Sequence, residues 1–213
     1  MTESLPIVEQ FHSLQGEGAH SGRSAYFIRL ASCKVGCSWC DTKESWSADP
    51  YPLKSLTSLA KTVVKAQLNG AGFVVLTGGE PLHHNLNPLC ESIRKETEEV
   101  VGKSIAIHLE TSGVDPISGN PDWITLSPKR HAQPLEELIK ICQEMKVIIH
   151  EKSDLVFAEQ MADKILSKYN NKTLLYLQPG WNNKKGQELA YEYVKSNSHW
   201  RLSMQTHKWL GVL

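Results

Sequence analysis

Three cysteines fall on one short stretch, Cys33-Lys-Val-Gly-Cys37-Ser-Trp-Cys40, spaced Cys-x3-Cys-x2-Cys. Three thiolates on one loop can grip three corners of an iron–sulfur cluster or part of a zinc shell. A full cubane cluster takes four thiolates. Here the local count stops at three, which leaves one iron open to a ligand that is not protein. A disulfide is disfavoured, because the set is odd and no secretory signal is read before it. Structural zinc wants four protein ligands, usually in paired clusters. Cys90 and Cys142 stand singly in helix-like segments, and no second Cys-x2-Cys exists. A histidine could still complete a zinc shell, so a zinc module stays open on this motif alone.

Other polar groups accompany the cysteines. Thr77-Gly-Gly79-Glu80-Pro81 follows an apolar run. Two glycines let backbone carbonyls approach a ligand ammonium, and Glu80 adds a negative charge suited to an α-amino group. Ser13-Leu-Gln-Gly-Glu-Gly-Ala-His20 reads as a loop with glycines flanking Glu17. Arg29 sits in an otherwise apolar run. A buried arginine must be paired, so it is either structural or holds a substrate carboxylate. Glu110-Thr-Ser-Gly113, Ser127-Pro128-Lys129, Gln178-Pro179-Gly180-Trp181 and Gln205-Thr-His-Lys208 complete the set.

The elements that must position these groups alternate. Strand-like runs cover 7–12, 24–30, 73–77, 105–109, 123–126, 147–149, 174–177 and 200–204. Helical spacing appears at Leu56, Leu59, Ala60, Val63, Val64 and Leu68, closed by Asn69-Gly70, and again over about 85–100. Further helices are marked by Leu135, Leu138, Ile139 and Cys142, by a long run from near Ser153, and by Leu189, Ala190, Tyr193 and Val194. Strand–helix alternation argues a parallel sheet with crossover helices. The stretch 110–123 has no helix-length pattern, so one crossover is expected to be a loop. A complete eight-unit barrel takes ~250 residues and this chain has 213. An incomplete, TIM-like barrel in a single domain over residues 1–213 is therefore expected. Each polar cluster after Ser13–His20 follows a strand, and parallel α/β sheets bind ligands at the carboxyl ends of their strands. The clusters should thus meet at one mouth.

Lys plus Arg equal Asp plus Glu at 23 each. With no basic stripe, a large nucleic-acid footprint is not indicated. No apolar run approaches the roughly 20 residues of a membrane helix, and the first residues lack the regions of a signal peptide. Cytoplasmic residence with reduced thiols is the expectation.

The cysteine spacing, the aromatic Trp39 before the third cysteine and Gly-Gly-Glu-Pro together resemble the radical S-adenosylmethionine (SAM) superfamily. In that superfamily the open iron of a 4Fe–4S cluster takes the amino and carboxyl groups of SAM, and the reduced cluster releases a 5′-deoxyadenosyl radical. Leu14-Gln-Gly-Glu-Gly18, Arg29, Cys40-Asp-Thr42 and the later clusters narrow the resemblance to the 7-carboxy-7-deazaguanine synthase family, over essentially the whole chain. The resemblance implies conversion of 6-carboxy-5,6,7,8-tetrahydropterin to 7-carboxy-7-deazaguanine with loss of ammonia, a step toward queuosine and other 7-deazapurines. It implies Cys33, Cys37 and Cys40 as cluster ligands. For SAM it implies Trp39, Cys40, Asp41, Gly79, Glu80 (toward the ammonium), Ser127, Pro128, Lys129, Gln178, Pro179, Gly180 and Trp181. Leu14, Gln15, Gly16 and Thr77 would line the pterin pocket, Arg29 would hold the substrate carboxylate, and Thr42 would touch Mg2+. A homodimer and an external one-electron donor of flavodoxin or ferredoxin type are also implied, with no direct nucleic-acid or membrane partner. His207 and Lys208 receive no role. A glycyl-radical activase would share the cysteine loop and Gly-Gly-Glu-Pro, but would not explain Gln-Gly-Glu-Gly, Arg29 and Cys-Asp-Thr together.

Overall fold

The structure, a computed structural model, describes residues 4–169 and 172–212. Met1 to Glu3, on which the reading of the amino terminus partly rests, lie outside the described residues. The strands are β1 (Ser4–Leu14), β2 (Ser24–Leu30), β3 (Leu53–Ser55), β4 (Phe73–Gly78), β5 (Ala106–Thr111), β6 (Trp123–Leu126), β7 (Glu144–Ile149), β8 (Leu174–Pro179) and β9 (Trp200–Leu202). The helices are α1 (Leu56–Leu68), α2 (Asn87–Val101), α3 (Glu136–Ile141), α4 (Lys152–Tyr169), α5 (Lys184–Ser196) and α6 (Thr206–Leu210). All nine strands form one sheet in the order β3-β1-β2-β4-β5-β6-β7-β8-β9. From β2 through β4 to β9 every pairing is parallel.

Both faces of the central strands are covered, which is why they read as continuous apolar runs. Val74 and Leu76 point outward with Tyr26, Ile28 and Leu30, into a core shared with Leu59, Ala60 and Val63 of α1 and Leu89 and Ile93 of α2. Phe73 and Val75 point inward with Ala25 and Phe27. Helix α1 starts where the Ser55 hydroxyl accepts from the Ser58 N–H, and α2 stops at Gly102, left-handed at φ 75°. Met161 and Cys90 are core residues, as their helical positions suggest.

The expected incomplete barrel with crossover helices is present, and residues 112–122 connect β5 to β6 without a helix. Some elements differ from the sequence reading. Strand β1 runs antiparallel to β2, because residues 15–23 are too few for the crossover that a parallel pair needs. Strand β3, three residues, and α6, five residues, are too short to carry a period. Strand β7 begins at Glu144, before the apolar run that marked it, because Glu144 and Lys146 face inward.

The sheet curls so far that the loop after β1 reaches the loop after β9. The Gly18 N–H donates to Ser203 Oγ at 3.0 Å, and the Thr206 N–H to the Gly16 carbonyl at 3.0 Å. The same loop plugs the amino-terminal end of the curl with His20, whose ring centroid lies 4.4 Å from Trp123 and 4.6 Å from His108. His108 is a packed strand residue, stacked on Phe73 at 4.1 Å. Burial, with His20 and Arg23 nearby, brings its pKa down to about 3, so the His108 ring packs there uncharged.

Candidate active site

The carboxyl ends of β2 and β4 to β8 open on one cavity of about 690 Å³. Every residue singled out in the sequence as a ligand contact lines it except Pro128, which is buried between two that do, Ser127 and Lys129.

The cysteine loop leaves β2 and is stitched at its base. The Ser32 and Cys33 N–H groups donate to the carbonyls of Ser45 and Trp46 at 2.8 and 3.1 Å, and the Glu80 N–H donates to the Ser32 carbonyl at 2.9 Å. Cys33, Cys37 and Cys40 are free thiols. Burial raises the Cys33 and Cys37 thiols. The Val35 and Gly36 N–H groups oppose this at Cys33, and Lys129 opposes it at Cys37. Among the described residues no three His, Cys, Asp or Glu side chains converge closely enough to enclose a single metal ion. A cubane is wider than one ion and needs its thiolates further apart. Three thiols on one cavity wall, with N–H donors and a lysine beside them, fit a three-cysteine cluster site.

Gly79 explains how the Gly-Gly-Glu turn comes so close. A β-carbon there would stand 2.3 Å from the Ser32 carbonyl oxygen and 3.1 Å from Cys33 Cβ. Those are largely backbone atoms of the cysteine loop, so the loop itself must move. Gly79→Ala is expected to cost about 1–3 kcal/mol and to lower iron content after reconstitution, as read by urea unfolding and iron assay. Full iron loading with unchanged stability would contradict this packing role.

Glu80 is buried and fully engaged. Its carboxylate accepts from the Leu82 N–H at 3.1 Å, Thr111 Oγ1 at 2.6 Å, the Ser112 N–H at 2.8 Å and Ser112 Oγ. These four donors match the lone pairs a carboxylate offers. In this geometry Glu80 ties the end of β4 to the end of β5.

Also lining the cavity, Gln15 Nε2 and Thr77 Oγ1 donate to the two oxygens of Glu110 at 2.9 and 3.1 Å. Gln15 is buried, and its own Oε1 accepts from the Glu17 N–H. Arg29 is paired after all: its Nε donates to Glu9 at 2.7 Å. No other bond to its guanidinium is made among the described residues, so the terminal nitrogens are left for a ligand.

Deeper lies a charged group that sequence reasoning missed. Lys146 on β7 pairs with Glu17; the side chains are 7% and 15% exposed. Burial alone would raise the Glu17 carboxyl, but Lys146 and Gln205 outweigh it and bring it down to about 2. Burial would lower Lys146, but Glu17 and Glu110 hold it above its usual value. Glu144, buried below them, accepts from the Ala19 N–H at 2.9 Å. Its pKa is pushed up to about 7, by burial first and then by Glu110 and Glu17, against the Ala19 N–H and Lys146. The unfolded carboxyl titrates near 4.5, so the native state loses stability as pH rises from 4.5 through 7, by roughly 2–4 kcal/mol. Glu144→Gln removes this loss. Its stability relative to wild type is expected to grow between about pH 5 and pH 8 in urea unfolding of the anaerobic protein; a constant difference would contradict the assignment.

The carboxy-terminal segment closes the rim. Gln205 Nε2 donates to Glu17 at 2.9 Å, and Lys208 pairs with Asp41 in the cysteine loop. Asp41 is thus held from the protein side, and its carboxyl sits low because Lys208 and Gln205 outweigh burial and Glu17. A β-carbon on Gly16 would stand 2.1 Å from His207 Nδ1, and one on Gly180 would stand 2.1 Å from His150 Cε1. Both glycines therefore admit a ring into the wall. Asn183 Oδ1 caps the Gly186 N–H, so its Nδ2 faces His150 Nδ1 at 3.0 Å. His150 is then protonated at Nε2, a buried donor with no partner among the described residues. It lies 5.5 Å from Trp39 between ring centroids, on the cavity wall. An unpartnered donor and an exposed indole suit a bound nucleoside-containing cofactor.

Glu17, Glu110, Glu144, Lys146, His150 and the Gln205–Lys208 segment thus join the residues named from sequence. Glu110 and Gln205–Lys208 were visible as strand-end clusters. The alternation Glu144, Lys146, Ile148 between Met145, Val147 and Ile149 was a readable inward-facing pattern for Lys146.

An incomplete barrel with three cysteines after its first parallel strand, over a cavity fit for a cluster and its ligand, defines a radical SAM protein; residues 28–140 match the Radical SAM superfamily model. The chain is 56% identical over 100% of both chains to 7-carboxy-7-deazaguanine synthase of Prochlorococcus marinus, and 32% identical to that of Escherichia coli, over 97% of this chain and 98% of the relative. The crystal structure of QueE from Escherichia coli superposes with a TM-score of 0.78 at 31% identity, covering 95% of this chain and 94% of that one. The chain belongs to the 7-carboxy-7-deazaguanine synthase family.

Proposed function

We propose that the cavity converts 6-carboxy-5,6,7,8-tetrahydropterin to 7-carboxy-7-deazaguanine with loss of ammonia. Family membership over the full chain supports the reaction. The observation that carries it to these residues is that one cavity is lined both by the free thiols and by Arg29 with the Gln15–Glu110–Thr77 group.

Cys33, Cys37 and Cys40 would hold a 4Fe–4S cluster, which with SAM supplies a carbon radical that abstracts hydrogen. Trp39, Gly79, Ser127, Lys129 and Gln178 to Trp181 line the space for SAM beside it, and the backbone around Gly78–Glu80 presents carbonyls to its ammonium. Glu80 supports that turn from behind. Arg29 takes the substrate carboxylate with its free guanidinium edge, a charge-assisted contact. Leu14 and Gly16 wall the pterin, and Glu110, held by Gln15 and Thr77, accepts hydrogen bonds from its ring N–H groups.

Thr42 bonds no described donor through its hydroxyl apart from the Cys40 thiol at 3.7 Å. As a hard oxygen donor beside the substrate side, it is our candidate ligand for Mg2+. Thr42→Ala is expected to flatten the magnesium dependence of turnover at unchanged iron content; an unaltered magnesium response removes Thr42 from that role. Among the described residues no helix is long and apolar enough to cross a membrane, in keeping with a cytoplasmic enzyme served by a one-electron donor protein. A homodimer is the assembly we expect; the mass of the purified protein in solution tests it. Anaerobic turnover of the pterin tests the function as a whole.

A further inference from the structure

Lys208 lines the cavity and has no part in the reaction described so far. It lies on α6, and the start of α6 is bound to the loop after β1. The Thr206 N–H and Oγ1 both donate to the Gly16 carbonyl at 3.0 Å, and Gln205 Nε2 donates to Glu17 at 2.9 Å. The His207 ring fills the space that a β-carbon on Gly16 would take. Three hydrogen bonds and a packed ring thus tie α6 to Gly16 and Glu17.

Lys208 carries the tie further. Its Nζ pairs with Asp41, next to Cys40, and lies 5.2 Å from the ring centroid of Trp181, in the loop after β8. Gln205 Nε2 comes within 3.5 Å of the same Asp41 oxygen, and Trp209 meets Trp181 edge-on at 6.3 Å between centroids. The Lys208 side chain is 20% exposed and that of Asp41 53%. A pair this open adds little to stability, so its consequence lies in where it holds its partners. Asp41 and Trp181 are assigned to SAM and Gly16 to the pterin. The short α6 therefore touches residues of both ligands, and the Lys208 ammonium joins it to the cysteine loop and to the loop after β8.

We propose that Lys208 is a positioning residue that couples the two ligands. A pterin seated against Gly16 fixes α6, and Lys208 then holds Asp41 and Trp181 in place for SAM. A ligand that orders a shared element lowers the ordering cost met by the second, and the effect is reciprocal. This rests on the assignment of SAM and the pterin to one cavity.

Anaerobic equilibrium dialysis of cluster-loaded protein against labelled SAM tests it. Reductant is left out so that no SAM is cleaved, and Kd is measured with and without saturating 6-carboxy-5,6,7,8-tetrahydropterin. In wild type the pterin should tighten SAM by about fivefold or more, the lower end of the usual range for coupled sites. Lys208→Met, which keeps the stem and removes the charge, should lose most of that factor. Lys208→Arg, which keeps the charge, should retain most of it. A residue that only braced the fold would shift the urea midpoint and leave the factor alone. If the Met variant does not fold, Asp41→Asn removes the same pair and should lose the factor in the same way. Wild type that binds both ligands independently, a factor kept in the Met or Asn variant, or one lost equally in the Arg variant would overturn the proposal. Wild type that binds SAM but no pterin would overturn the pterin assignment itself, and the coupling with it.

Discussion

Lys146→Met should destabilise the protein by about 3–5 kcal/mol, because it leaves Glu17 buried without its cation. Lys146 is 7% exposed and lies among Glu17, Glu110 and Glu144, so water cannot replace the lost charge. Gln205 would remain as a neutral donor to Glu17. The double variant Glu17→Gln, Lys146→Met should recover a large part of the loss, since both charges then leave together; neighbours in one network couple in this way. Urea unfolding of the single and double variants measures it. Additive losses would mean that the pair is not the unit described here. Turnover of Lys146→Met should fall as well, because Glu17 and Gln205 join the loop after β1 to the α6 rim.

Arg29→Ala should raise KM for the pterin about 10–100-fold, the loss of one charge-assisted contact of about 1.5–3 kcal/mol. Its partner Glu9 is 37% exposed and can be hydrated once the arginine is gone, so stability should change little. Iron content and uncoupled SAM cleavage should match wild type. A variant that unfolds more easily while KM stays unchanged would make Arg29 a strut for β1 and β2, with no part in substrate binding.

The fold was legible where period and punctuation agreed. Phe73-Val-Val-Leu-Thr77 between Asn69-Gly70 and Gly-Gly-Glu-Pro could only be a buried strand feeding a ligand turn. Its neighbours were marked in the same way, so the incomplete barrel follows from sequence. The antiparallel β1 was not marked, because strand direction depends on whether the connection is a crossover or a short loop. Residues 15–23 carry loop chemistry that serves both the site and the plug. Within the site, cysteine spacing and turn glycines announce themselves locally. The Glu17–Lys146 pair and the Asp41–Lys208 rim do not, since each joins residues more than a hundred positions apart. Glu80 shows the limit most clearly. Its charge suggests an ammonium contact; that Thr111 and Ser112, reached only through the sheet pairing, also bind its carboxylate could not be read locally. Its carboxylate braces the turn whose backbone faces the ligand.

The central claim is that one cavity joins a SAM-binding cluster to a pterin pocket. The most direct measurement supplies anaerobically reconstituted protein with SAM, a reductant, Mg2+ and 6-carboxy-5,6,7,8-tetrahydropterin, and follows products by mass spectrometry. We expect 7-carboxy-7-deazaguanine to form without stoichiometric loss of SAM, since return of hydrogen would regenerate it. Protein that carries its cluster and cleaves SAM, yet leaves the pterin untouched, would contradict the claim.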